Sequence, residues 1–86
     1  SFGSSYARDM SIIPMLRAAV IVRALKKAGF RFIRQRGSHV HLRHFSDSTR
    51  YATVPYHARD ISRKDLASIL KQARLSVDEF LKLLKK

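Results

Sequence analysis

The run Arg36-Gly37-Ser38-His39-Val40-His41-Leu42-Arg43-His44 constrains the fold more than any other stretch. Gly37-Ser38 reads as a tight turn, because glycine reaches backbone angles that other residues avoid. After the turn, polarity alternates residue by residue, the pattern of a strand with one face buried. Val40 and Leu42 take the inner face; His39, His41 and Arg43 take the outer one. Such a strand needs neighbours, and the flanking segments supply them. Phe30–Gln35 reads as a strand with Phe30 and Phe32 on one face and Ile33 on the other. Tyr51–Val54 reads as a third, with Ala52 and Val54 inward and Tyr51 and Thr53 outward. Pro55 closes it, having no N–H to give a ladder. Short connections make an antiparallel meander the economical topology.

Helical patterns lie on either side of the meander. From Leu16 to Ala28 the residues Leu16, Val20, Ile21, Ala24, Leu25 and Ala28 recur at helical spacing. Pro14 suits the first turn, Lys26 and Lys27 suit the C-terminal end of the dipole, and Gly29 supplies the stop. Tyr56–Ile61 reads as a loop carrying His57. Ser62 then caps a second helix, with Asp65 completing a short version of a capping box, and Leu66, Ile69, Leu70 and Ala73 form its apolar stripe. Ser76 and Glu79 spell a full box for a last short helix bearing Val77, Phe80, Leu81 and Leu84. The predicted architecture is an α+β two-layer sandwich, α-β-β-β-α(-α), with a three-stranded antiparallel sheet, helices on one face and the other face open. Residues 1–13 read as a flexible tail or added residues, with Met10 or Met15 as a candidate start; residues 14–86 form one domain.

The charge narrows the partner. The chain carries +12, from 18 Lys and Arg against 6 Asp and Glu among 86 residues. No acidic residue lies between Asp9 and Asp47, while Arg17, Arg23, Lys26, Lys27, Arg31, Arg34, Arg36 and Arg43 do. That field favours a polyanion, nucleic acid before an acidic protein or anionic membrane. The apolar runs are far shorter than the roughly 20 residues of a membrane span. With no cysteine, disulfides and thiolate metal sites are excluded, and a cytoplasmic location is expected.

Histidine titrates nearest neutral pH and arginine grips phosphate, so the outer face suggests chemistry on a phosphodiester. Strand-borne His39 and His41, at i and i+2, can both face one metal ion. Asp47 and Asp60 are the only nearby third ligands, however, so no metal or other cofactor is expected. Phosphate loops and Ser-His-Asp signatures are absent. His44 alternates toward the core and reads as structural; His57 follows Pro55 and either approaches the sheet or caps the next helix.

The segments Leu25-Lys26-Lys27-Ala28-Gly29-Phe30, Arg36-Gly37-Ser38-His39, Val54-Pro55-Tyr56-His57 and Leu66–Ala73 followed by Leu75-Ser76 resemble, in order and spacing, the HicA family of toxin mRNA interferases. The resemblance covers about residues 14–84. It implies a double-stranded-RNA-binding-domain-like fold, a metal-independent ribonuclease activity and a HicB-type antitoxin partner. It also implies that His39, the histidine of the Gly-Ser-His motif, is catalytic. The chain departs from the family pattern at Lys64-Asp65, where members usually have Gly-Thr, and at Arg74, where they often have Gly. The expected site is then His39 with His41 and His57 as auxiliaries, and Arg36, Arg43, Lys26, Lys27, Arg34, Ser38 and Tyr51 for RNA. The competing readings are a non-catalytic RNA-binding module on the same scaffold and a small basic protein whose partner is an acidic protein.

Overall fold

The computed structural model describes residues 15–56 and 60–85. Pro14, the N-terminal tail and His57 lie outside them. In chain order the elements are β1 (Leu16–Arg17), α1 (Ala18–Lys27), β2 (Phe30–Arg36), β3 (His39–His44), β4 (Tyr51–Pro55), β5 (Asp60–Ile61), α2 (Arg63–Ala73) and α3 (Val77–Leu84). β2, β3 and β4 form an antiparallel sheet in that order. The helices cover one face. Ile21, Ala24 and Leu25 of α1, Leu66, Ile69, Leu70 and Ala73 of α2, and Val77 and Phe80 of α3 share a core with Phe30, Val40, Leu42, Ala52 and Val54 of the sheet. The described core contains no buried polar or charged residue. Each fully buried Phe, Leu or Ile contributes about 1.5–3 kcal/mol relative to exposure. The expected α+β layout, with helices at either end of a three-stranded meander, is therefore the observed one.

Two short pieces differ from expectation. Leu16 and Arg17 are not the start of the first helix: they pair antiparallel with Ile61 and Asp60, so the segment before α2 is a strand where the sequence read as a loop. Arg17 Nε lies 3.9 Å from an Asp60 carboxylate oxygen. α1 therefore begins at Ala18. A two-residue ribbon between segments more than forty residues apart leaves no periodicity to read. The meander also runs one residue further than Pro55 suggested. Thr53 N–H points out of the sheet edge to Gln72 Oε1 at 3.0 Å. Pro55, two residues on, faces the same way, so its missing N–H costs no ladder bond. Tyr56 N–H resumes the pairing onto Ser38 O. The Gln72 contact also shields an otherwise open edge.

The joints are specific. Gly29 has φ +102° behind α1, and a Cβ there would come within 3.0 Å of the Phe45 ring and 3.1 Å of His44 Nε2. Phe45 N–H donates to Gly29 O, so its ring lies over the glycine and stays exposed. Lys27 Nζ donates to Leu83 O at the end of α3. Arg50 Nε donates to Ala73 O at the end of α2, with its guanidinium over the Phe30 ring. Ser76 and Glu79 make the full reciprocal capping box. At α2 the Ser62 hydroxyl accepts from Asp65 N–H, one half of such a box; Asp65 has a shorter side chain than the Glu a full one uses. In the turn after β3, the Thr49 hydroxyl and amide donate to Asp47, which holds that exposed carboxyl below its usual pKa.

α2 ends at Arg74 in the left-handed region, φ 58° and ψ 40°. Only glycine visits that region without cost; other residues lose about 1–2 kcal/mol. Opposite effects are thus expected at two positions. Arg74→Gly stabilises the fold by about 1 kcal/mol through relief of that strain, and Gly29→Ala destabilises it by roughly 1–3 kcal/mol. Urea denaturation of both variants measures the two signs. A destabilised Arg74→Gly, or a neutral Gly29→Ala, contradicts the backbone argument.

Candidate nucleic-acid interface

The parity of the β3–β4 ladder places the polar side chains. His44 N–H donates to Arg50 O, and Tyr56 N–H to Ser38 O. The alternate pairs between these, His39 with Pro55, His41 with Thr53 and Arg43 with Tyr51, are the non-hydrogen-bonded ones. Opposed side chains approach closest at such pairs. Val40, Leu42, Ala52 and Val54 are buried on the helix side, so His39, His41, Arg43, Tyr51 and Thr53 lie on the other face, as their alternation predicts.

β2 adds to this face through an irregularity that the simple alternation missed. Phe30, Arg31 and Phe32 oppose His44, Arg43 and Leu42, but the next pairs are Arg34 with His41, Gln35 with Val40 and Arg36 with His39. The register slips by one residue at Ile33. Without the slip Arg34 and Arg36 would share the parity of Phe30 and Phe32 and leave the histidine face; beyond Phe30 that other side of β2 is itself exposed, Phe32 by 52%. The bulge turns both onto the histidine face. The signal was available in the sequence: Phe30-Arg31-Phe32-Ile33-Arg34-Gln35-Arg36 places two arginines in phase with two phenylalanines, and a bulge is the ordinary way to break that phase.

The turn that ends β2 has φ +57° at Gly37 and no positive φ at Ser38, the pattern of a type II′ hairpin turn. It holds His39 at the sheet's end, exposed, directly across from Arg36. His41 is half-buried; its Nδ1 lies 3.4 Å from the Thr53 hydroxyl. His44 has a structural place. Its Nδ1 accepts from the N–H groups of Ser46 and Asp47, and its ring stacks on Phe45 and meets Phe30 edge-on. Arg31, opposite Arg43 and so on the same face, leans over the Phe45 ring that stacks on His44.

The face thus brings together His39, His41, Arg34, Arg36, Arg43 and Tyr51, with Ser38 at the rim. It does not include Lys26 and Lys27, which end a helix packed on the sheet's opposite side. Between β2, β3 and β4 the bulge opens a cleft of about 270 Å³, lined by Ile33, Arg34, His41, Arg43 and Tyr51 among others. Among the described residues no group of three or more His, Cys, Asp or Glu is placed to hold a metal ion. None of the described helices is long and apolar enough to cross a membrane.

A family model, the HicA toxin of bacterial toxin–antitoxin systems, matches residues 19–75. No curated protein sequence matches the chain. The matched span runs from α1 through α2 and contains every residue of the histidine face.

The register is open to a direct test, because the chain has no cysteine of its own. Paired substitution Arg34→Cys with His41→Cys is expected to give a disulfide on mild oxidation, since the two positions are directly opposed. Arg34→Cys with Val40→Cys, the pair an unslipped strand would oppose, is expected to stay reduced because the side chains leave opposite faces. Thiol quantification after oxidation reads the difference, and the reverse pattern removes the bulge.

Proposed function

This chain belongs to the HicA toxin family of bacterial toxin–antitoxin systems, and on that premise we propose that it is an endoribonuclease acting through His39. The observation that carries the proposal is the place of that imidazole: exposed at the hairpin end of the sheet, opposite Arg36, on the face that gathers Arg34, Arg43 and His41. RNA brings its own nucleophile. His39 takes the proton of a 2′-hydroxyl, the 2′-oxygen bonds to phosphorus, and the bond from phosphorus to the 5′-oxygen breaks. The products are a 2′,3′-cyclic phosphate and a 5′-hydroxyl. Arg36, with its planar fork of donors, stabilises the charge that builds on the non-bridging oxygens. The departing 5′-oxygen needs a proton, and His41, oriented by Thr53, is the nearest histidine on the same strand face; water is the alternative donor. No metal enters this scheme.

A toxin of this family implies an antitoxin partner. A HicB-like protein that covers the arginine-rich face would silence it, and acidic side chains are the chemistry that face would accept. The second reading, a non-catalytic RNA-binding module, draws on the same arginines and on the exposed Tyr51 ring.

Cleavage of end-labelled RNA in the presence of a chelator separates the two. Wild-type protein is expected to cut, and His39→Ala to cut about 10²–10⁴-fold more slowly, the usual worth of general acid–base help. Cutting by His39→Ala at the wild-type rate rejects the assignment. RNA affinity is also expected to fall steeply with salt, by about one logarithmic unit of slope per phosphate contact. A flat salt response rejects the electrostatic part.

A further inference from the structure

We infer that the cleft opened by the Ile33 bulge is a nucleobase site that prefers uracil or guanine over cytosine or adenine. The inference rests on the reading of this face as an RNA interface. Its two apolar walls come from different strands. Ile33 on β2 is 50% exposed and Tyr51 on β4 45% exposed, two of the six large hydrophobic residues exposed among the described ones. Both line the same cleft. A base is the part of RNA with flat apolar faces to place between an aliphatic side chain and an aromatic ring. The volume of about 270 Å³ sits below the roughly 300–1,000 Å³ of pockets that hold whole drug-sized ligands, so it suits the base and leaves ribose and phosphate outside.

The edge chemistry selects among bases. Arg34 and Arg43 line the cleft, and guanidinium groups only donate. No Asp, Glu, Asn or Gln side chain lines it to accept from an exocyclic amine. Uracil presents carbonyl oxygens, and guanine presents O6 with N7, the pair an arginine fork grips. Cytosine and adenine put an amino group toward those two donors; the His41 ring and the Tyr51 hydroxyl are the lining side chains able to accept it, against two arginine forks that only donate. Arg43 and Tyr51 lie four residue pairs along the sheet from His39, about 13 Å at strand spacing, with His41 about halfway. The base held there belongs to a nucleotide that flanks the scissile phosphate.

Binding of short 2′-O-methyl homopolymers of uridine and of cytidine tests this without cleavage, because the 2′ nucleophile is blocked. Wild-type protein is expected to bind the uridine strand roughly tenfold more tightly, the scale of one guanidinium–base contact. Tyr51→Ala is expected to lose roughly tenfold for uridine, the worth of one stacked base, while Tyr51→Phe retains the wild-type affinity. Arg34→Lys combined with Arg43→Lys keeps the charge and is expected to erase the uridine preference. Equal or reversed affinity of wild-type protein for the two strands overturns the inference, and so does unchanged uridine affinity in a folded Tyr51→Ala. If Tyr51→Ala does not fold, the wild-type preference and the lysine variants decide. Cleavage of unmodified RNA is scored separately. A protein that prefers uridine but cuts nothing rejects the nuclease and leaves the base site standing; one that cuts but binds both strands alike does the reverse.

Discussion

The phase of β2 decides which face of the sheet its arginines join, and the whole interface follows from where that phase breaks. The register slip at Ile33 spends one residue to rotate Arg34 and Arg36 out of the phase of Phe30 and Phe32. The consequence is electrostatic as well as steric. Two strands, not one, contribute cations to a single face, and they flank His39 and His41 in register. The same extra residue leaves Ile33 half exposed beside Tyr51, which makes a cleft out of what would otherwise be a flat sheet.

A face that holds no buried polar group beneath it can be rigid for simple reasons. Val40 and Leu42 of β3 and Ala52 and Val54 of β4 are buried in the core shared with the helices, and the strand edge is tied to α2 by Gln72. The far corner is locked by Gly29, Phe45 and His44, three residues that must meet closely because a side chain at Gly29 would have no room. His44 therefore belongs to the scaffold, though it lies in the same strand as the two histidines proposed for function. One strand thus uses the same residue type for two tasks, and parity alone divides them.

The positive field is not uniform in purpose. Lys27 and Arg50 close the ends of helices by donating to carbonyl oxygens. Arg31 shares the face of its partner Arg43 but lies over the Phe45 ring. Arg34, Arg36 and Arg43 are the group that converges on one face. Net charge attracts a polyanion from any direction; on the proposed reading, the converging subset sets where on the molecule it docks. An antitoxin that covered the same subset would remove the attraction and the proposed chemistry together.

Much was legible in the residues themselves. Alternation in His39–Arg43 assigned each side chain to a face, because a strand's period of two leaves no other choice. The helical stripes and the Ser76–Glu79 box announced α2 and α3, because those signals are local. The family resemblance was carried by motifs of the same local kind. Three things were decided only by tertiary structure. The β1–β5 ribbon depends on two segments meeting across more than forty residues. The place of the bulge, after Phe32 and before Arg34, shows only in the pairing with β3, although two arginines in phase with two phenylalanines already hinted at a break. The cleft exists only where three strands and that bulge come together, so no single stretch of the chain contains it.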